Sequence, residues 1–477
     1  MQQSKRDLFF WYSLILCAFT FAYVLLRAIY VNITYDEVWT LYSFVRSSVV
    51  DVLTFANCDA NNHILNTLLI KLLYSTVPNT VFIARLPNVL AALVYLYFAY
   101  KFSARLSSNS KYFALIALLL NPFLLEFFSL ARGYGLAMAC VICTLYFLQN
   151  YSSTKKTAEL LKTLLSLLLL SLSMLSSLHL VVPAFALLLY YATRSKQKQA
   201  LQVFFIFLFI VATVALLWLP IKQLRANDSF YYGGHNNFFS DTIVSLAKYF
   251  FGTTYADTSI IVVSVLAGSA ALLLIVFQFK HAGTQLLQTA SLSALLLLTI
   301  ASVISQFYLL KSPYVTDRTA LFFYPLLVCA LASACTTFES SKVIEASQLV
   351  LTIIFASNFS AQGNLYKTLT WFFDAHSAEI IRIINQHAGG KACSAQLSWP
   401  LRKSLEYYRD KNFPNLQLDY KNPLQALRDG DYVIFLNSTI DQVDYQAGYD
   451  VLVQYNKDTL ARFEKEKLYV FKLSTKQ

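Results

Sequence analysis

The chain has 477 residues, of which 57% are hydrophobic and 13% charged, with a mean hydropathy of +0.51. A soluble domain carries about a quarter charged residues, so these values exclude a large soluble α/β protein, whose surface would hold too few charges to stay in solution. The formal net charge of +12 does not form a nucleic-acid face, because most Lys and Arg fall in short clusters between apolar runs, where they set membrane topology.

In chain order, apolar runs near twenty residues long predict eleven membrane spans, at roughly 8–30, 82–100, 112–128, 134–150, 161–177, 179–193, 200–221, 258–279, 286–310, 319–338 and 346–359. The first run is too long for a cleaved signal and lacks a small-residue cleavage site, so it reads as a retained anchor. The pair 161–177 and 179–193 also reads as one helix broken at "LSMLSSLHLVVPAF". With Lys5 and Arg6 placed in the cytoplasm, the even-numbered loops hold Lys101, Arg105 and Lys111, then Lys155, Lys156 and Lys162, then Arg194, Lys196 and Lys198, then Lys280, then Lys342. All of these cytoplasmic loops are basic, as the positive-inside rule requires. An odd span count puts the C-terminal segment on the far side.

The far side then collects the unusual polar residues. "VNITYDEVWTLYSF" carries Asp36 and Glu37, and "CDANNHILNTLLIKLL" follows in the same loop. "SLARGYGLA" carries Arg132, His179 follows the fifth span, His235 lies in "YYGGHNNFF", and "LLKSPYVTDRTALFFYPL" carries Lys311 and Arg318. Near residue 361 the texture changes: "WFFDAHSAEIIRIINQH" reads as an amphipathic helix, and "DYVIFL", "YDVLVQY" and "EKLYVFKLS" read as strands. The expected fold is an all-α polytopic membrane protein of about eleven transmembrane helices, residues 1–360 with a first extracytoplasmic loop at 31–81, followed by a small α/β extracytoplasmic domain at 361–477.

Seven cysteines show no CxxC or Cys/His metal spacing. Cys17, Cys140, Cys143, Cys329 and Cys335 sit in or beside apolar runs as small hydrophobes. Cys58 and Cys393 alone fall in extramembrane segments, and whether they pair is open.

Two adjacent carboxylates can supply a general base and a second group that binds a sugar hydroxyl or a metal. Arg132 lies beside glycines that let backbone approach a ligand, and Arg318 heads a span. A guanidinium matches phosphate through fixed, bidentate donors. The set suits transfer of a group from a lipid phosphate to a hydroxyl: a carboxylate takes the hydroxyl proton, and a phosphate leaving group needs cations and no general acid. A hydrolase would instead place two carboxylates across the sugar. Each residue also has a plainer reading. The acidic pair can be a solvated loop start, and Arg132 and Arg318 can snorkel to headgroups, with Asp317 as an ion-pair partner for the latter. His63 and His179 can be structural, the His235 loop a simple connection, and Tyr35, Trp39 and Tyr134 part of the aromatic belt. Among other classes, a flippase or transporter would put its charges at the midplane and show an inverted repeat, and neither is seen. A glycan polymerase or ligase would carry its large far-side loop between late spans, whereas here the large element is C-terminal.

Taken in order, "YDEVWTLY", "NNHILNTLLIKLL", "ARLPNVL", "NPFLLEFFSLARGYGLA", "DRTALFFYPL", "WFFDAHSAEII" and "SLEYYRD" resemble the GT-C glycosyltransferase superfamily, in the branch of protein O-mannosyltransferases and lipid A aminoarabinose transferases. The resemblance implies a polyprenyl-phosphate sugar donor and an inverting transfer outside the cytoplasm to a hydroxyl of a lipid, glycan or protein. It puts Asp36 and Glu37 at the catalytic centre; Asp36 is the expected base, with Glu37 supporting it or binding a sugar hydroxyl or a metal, and their division of roles stays open. It assigns Arg132 and Arg318 to the donor phosphate, with Lys71 and Lys311 as candidates for a further phosphate lysine. Asn62 and His63 fall where relatives carry a polar residue and His-Pro, with Ile64 here in place of the proline. Tyr35 and Tyr134 are candidate platforms for the sugar. No cofactor is implied, and metal dependence varies within the superfamily. A bacterial inner membrane is favoured, because "NIT" at Asn32 would be an N-glycosylation acceptor beside the acidic pair in a secretory compartment.

Overall fold

A computed structural model describes residues 2–195, 198–230, 232–253, 257–281, 290–338, 341–420, 430–437 and 455–475. The chain divides into two compact units, residues 1–29 with 43–363, and residues 30–42 with 364–477. The stretch that bears the acidic pair thus belongs to the C-terminal unit, and the remainder of the expected loop 31–81 to the other.

The larger unit is a bundle of apolar helices, and the protein is a multi-pass membrane protein. Among the described residues, nine helices are long and apolar enough to cross a membrane, and ten if one bent pair counts as a span. Ten of the eleven expected spans coincide with these helices. The shortfall lies at 161–177, where the helix Thr157–Ser173 has 17 residues. At 1.5 Å per residue it reaches about 25 Å, short of the ~30 Å hydrocarbon core. The bent pair is the expected span 112–128: Asn109–Leu119 and Pro122–Ser129 meet at 50°. Leu120 leaves helical geometry (φ −111°, ψ 42°), and Asn121 caps the second half by accepting the Leu124 N–H at 3.1 Å. Pro122 occupies the first helical position, where its missing N–H costs nothing. The helix expected at 286–310 is described from Ser291 onward.

Buried polar contacts tie this bundle together. Arg27 of the first helix pairs with Glu126 at 3.8 Å, both side chains almost fully buried. Arg85, also buried, donates from Nη1 to the Ala28 carbonyl at 3.1 Å. Asn88 donates to Asn66 Oδ1 at 2.8 Å and accepts the Leu136 N–H at 2.9 Å, while Asn66 donates to the Ala131 carbonyl at 3.1 Å. Both asparagines are wholly buried, so each bond stands where water cannot substitute. Gly135 permits this approach: a Cβ there would lie 2.6 Å from Asn88 Oδ1 and 2.7 Å from the Phe127 carbonyl oxygen.

The C-terminal unit is built on a five-stranded sheet, β1 (Cys393–Leu397), β2 (Leu416–Asp419), β3 (Tyr432–Leu436), β4 (Tyr455–Phe463) and β5 (Leu468–Thr475), in the order β2-β1-β3-β5-β4. β1 pairs parallel with β2 and β3, while β5 runs antiparallel to β3 and β4. Central β3, the expected "DYVIFL" strand, is buried along its whole length. The expected amphipathic helix forms as Ser377–Ala388 behind a 3-10 turn at Phe372–His376, with Ile380, Ile381 and Ile384 inward. The helix Arg402–Asn412 packs against it. The "YDVLVQY" strand falls almost entirely outside the described residues.

Candidate functional site

The acidic turn opens with a capping box. Thr34 is extended (φ −89°, ψ 160°), and Glu37, three residues on, folds back over it. Glu37 Oε2 accepts the Thr34 N–H at 2.9 Å and the Thr34 hydroxyl at 3.2 Å. Thr-x-x-Glu is a sequence signature for a helix start, and the short helix Tyr35–Trp39 begins here. Glu37 is wholly buried, whereas Asp36 is half-buried. The two neighbouring carboxylates therefore differ in role: Glu37 fixes the turn, and Asp36 is the one closer to solvent.

Four further bonds hold this segment within its unit. Asn32 Nδ2 donates to the Ala375 carbonyl at 2.6 Å, and the Tyr408 hydroxyl donates to Asn32 Oδ1 at 2.9 Å. The same hydroxyl accepts the Ile33 N–H at 3.2 Å. The Tyr35 N–H donates to Asp374 Oδ2 at 2.7 Å. Asp374 is buried, and the Ser404 hydroxyl donates to its other oxygen. Burial pushes the Asp374 carboxyl well above the ordinary carboxylate range against the pull of Ser404 and Tyr35, and the charges of Asp36 and Glu37 push the same way. Around the turn, the Tyr35 ring lies parallel to Trp39 with centroids 6.5 Å apart, and Trp399 stands edge-on to Tyr35 at 6.3 Å. Arg402 and Lys403 both pair with Glu406 at 3.0 Å, holding its carboxyl below the ordinary range despite burial.

In the membrane unit, Arg132 stands immediately before the helix Gly133–Thr154, in extended conformation and 1% exposed. Its Nη1 donates to the Asn61 carbonyl at 3.2 Å, and its guanidinium lies 5.7 Å from the Tyr134 ring centre. His63 meets the same ring edge-on at 4.8 Å. His63 Nδ1 lies 2.7 Å from the Ser173 carbonyl. A carbonyl only accepts, so Nδ1 carries the proton and Nε2 is a bare lone pair. That Nε2 is buried and has no hydrogen-bond partner among the described residues. Burial holds His63 well below the usual histidine range, and the charges of Arg132 and Arg318 add to this. Arg318 donates to the Tyr232 hydroxyl at 3.3 Å and covers that ring at 4.4 Å. Its neighbour Asp317 pairs with Lys248 at 3.7 Å and accepts from Tyr232 at 3.0 Å.

The structure thus groups His63, Arg132 and Tyr134, with Arg318 close enough to act on the His63 charge. It uses other candidates differently. Lys71 donates to the Val45 and Ser47 carbonyls at 2.8 and 2.5 Å, and Lys311 is exposed and itself takes the left-handed conformation that ends its helix. Asn62 donates to the Val52 carbonyl at 3.0 Å and accepts from Thr67 at 3.2 Å. His179 is buried in a helix and His235 is exposed. Cys58 and Cys393 are both free thiols, and Cys58 donates to the Gln223 carbonyl at 3.0 Å. Among the described residues, no three His, Cys, Asp or Glu side chains group to hold a metal. Asp374, Ser404 and Tyr408 had not been singled out. They lie in "WFFDAH" and "SLEYYRD", two of the stretches that carried the family resemblance.

No protein-family model matches this chain, and no characterised protein matches it in sequence. Its fold is similar to a solved structure, ArnT from Cupriavidus metallidurans bound to undecaprenyl phosphate. The match covers 99% of this chain and 98% of that one, with a TM-score of 0.52 at 10% identity. The chain has the fold of that structure.

Proposed function

We propose that this protein is a membrane glycosyltransferase that moves a sugar from a polyprenyl phosphate to a hydroxyl of a lipid, glycan or protein. The observation that carries the reading is the unequal use of the two carboxylates at the end of the first membrane helix. With Glu37 holding the Thr34 cap, we read Asp36, the more exposed of the two, as the base. The ArnT-like fold supports the reading, since that neighbour was solved with undecaprenyl phosphate bound.

In this mechanism Asp36 takes the proton of the acceptor hydroxyl as its oxygen attacks the anomeric carbon from the face opposite the phosphate. The bond from that carbon to the phosphate oxygen breaks, the configuration inverts, and polyprenyl phosphate departs with the electron pair. Arg132 and Arg318 supply fixed cations for the charge that gathers on the leaving phosphate. Arg132 also stands at a helix N-terminus, where the backbone dipole favours an anion. His63 is held neutral, so its bare Nε2 suits a hydroxyl donor of the bound lipid-linked sugar. Tyr35 and Tyr134 are the ring faces offered to sugar in the two units.

Sidedness follows from the basic loops. With the N-terminus cytoplasmic and Thr157–Ser173 crossing as a short eleventh span, the acidic turn and the sheet domain lie outside the cytoplasm. The compartment that fits is the periplasmic side of a bacterial inner membrane.

The test is turnover by purified protein in lipid with a synthetic polyprenyl-phosphate sugar and candidate acceptors. The reading expects release of polyprenyl phosphate together with a glycosylated product of inverted configuration. Movement of the labelled lipid across proteoliposomes with no glycosylated product would make the protein a flippase instead.

A further inference from the structure

Besides the acidic pair, the C-terminal unit holds a third acidic residue in contact with the same turn. Asp374 lies 339 positions after Tyr35 in sequence, yet its Oδ2 accepts the Tyr35 N–H at 2.7 Å. That N–H is one of the first donors of the helix carrying Asp36, left without an intrahelical acceptor. A chain of hydroxyls stands behind the carboxyl: Ser377 donates to Ser404 at 3.0 Å, and Ser404 donates to Asp374 Oδ1. All three residues are buried. Burying a carboxylate without a cation is costly, and the turn's neighbouring groups add two more acids to the same small volume. Such an arrangement calls for a reason beyond packing, because a neutral residue would hold the backbone at lower cost.

We propose that Asp374 is a positioning residue of the transfer site, which aims Asp36 through the Tyr35 backbone and places its own charge near it. The proposal rests on the reading of Asp36 as base. Asp374 touches no substrate in this scheme. Its first effect is geometric: the Tyr35 N–H bond fixes the direction in which the helix leaves Thr34, and so the direction of the Asp36 side chain. The second is electrostatic: the charges of Asp36 and Glu37 add to burial in raising the Asp374 carboxyl. The hydrogen-bond pattern allows Asp374 to change charge without disturbing the turn. When it is ionised, Ser404 donates to it. When it is protonated, it donates to Ser404, whose own hydrogen turns to the Leu401 carbonyl at 3.2 Å. The Tyr35 bond survives in both states. The other charged or titratable groups around this point are Glu37 on the turn, Arg402, Glu406 and Tyr408 on the facing helix, Tyr35 itself and His376 in the Asp374 turn.

Asp374 holds its proton well above the ordinary carboxylate range, so its ionisation puts an inflection in the wild-type rate profile. Asp374→Asn keeps an oxygen for the Tyr35 N–H and removes the ionisation. Asp374→Ala removes both. The experiment measures kcat and KM against pH for full-length protein with a synthetic polyprenyl-phosphate sugar. Asp374→Ala is expected to lose on the order of 10²-fold in kcat, with the donor KM in place. Asp374→Asn is expected to keep most of kcat, with that inflection gone. A residue that only packs would lower the rate equally at every pH and leave that inflection in place, and that result would overturn the proposal. Amide exchange across residues 32–37 needs no turnover: it should be faster in Asp374→Ala and near wild type in Asp374→Asn, and equal rates in all three contradict the positioning role. Asp36→Asn separates the two levels. If Asp36→Asn is fully active, the base assignment fails and takes this proposal with it. If Asp36→Asn is inactive while Asp374→Ala matches wild type, this proposal fails alone.

Discussion

His63 Nδ1 donates to the carbonyl of Ser173 at 2.7 Å, across 110 positions of sequence. One bond to a group that can only accept fixes the tautomer, and it leaves Nε2 as a buried acceptor, with the charges of Arg132 and Arg318 acting on the ring. A histidine so placed stays neutral when folded, while its unfolded form takes a proton near pH 6.5. Below that pH the unfolded chain binds more protons than the folded one, so stability falls as pH drops. Thermal unfolding in detergent at pH 7.5 and 5.5 should show a drop in Tm for the wild type and a smaller drop for His63→Gln, whose amide can still donate to Ser173. Equal drops in the two proteins would remove His63 from the account of this pH dependence.

Glu37 and Asp36 should part company under mutation. Glu37→Gln keeps an oxygen that can accept from Thr34, so the turn and most of the activity should survive. Glu37→Ala removes the cap and should destabilise the turn by about 0.5–2 kcal/mol, read as faster amide exchange over residues 32–40. If Glu37→Gln abolishes transfer while exchange stays at the wild-type rate, Glu37 and not the cap is the chemical group.

The close approach at Gly135 makes a stability prediction free of any assumption about activity. Gly135→Ala would drive a Cβ against Asn88 and the Phe127 carbonyl, and overpacking of this kind costs about 1–3 kcal/mol. Gly268, in the helix Thr258–His281, has nothing within 4 Å of an added Cβ. Gly268→Ala should therefore be neutral or gain up to about 1 kcal/mol from helix propensity. A comparison of the two melting temperatures checks the pair, and equal shifts would contradict the packing argument.

Sidedness has its own measurement. A reporter fused after residue 400 should signal outside the cytoplasm, and one fused after residue 280 should signal inside. A cytoplasmic signal from the first fusion would overturn the topology and, with it, the assembly of these residues on one face.

Much of the fold was legible because membrane spans are long and chemically uniform. The run from Asp7 to Tyr30 and the run from Thr258 to Lys280 need only composition and length. The bent pair was missed although "LNPF" announces it: an Asn cap followed by Pro at the first helical position is a restart signal. The turn's internal logic was also in view, since Thr34 to Glu37 is a capping box by spacing alone. The expectation that Glu37 supports the base or binds a sugar hydroxyl or metal left out its local work as a cap. Asp374 was harder to find. Nothing in "WFFDAH" marks its Asp as buried, because the Tyr35 N–H and Ser404 reach it only through tertiary structure. The short parallel strands β1 and β2, of five and four residues, carry too little alternation to be read locally, and their pairing depends on partners distant in sequence.

The most direct measurement concerns Asp36. Transfer from a synthetic polyprenyl-phosphate sugar should fall by at least ~10²-fold in Asp36→Asn, the usual contribution of a positioned general base. The same variant should still bind undecaprenyl phosphate, because Arg132 and Arg318 are untouched. Full transfer activity in a well-folded Asp36→Asn protein would contradict the account.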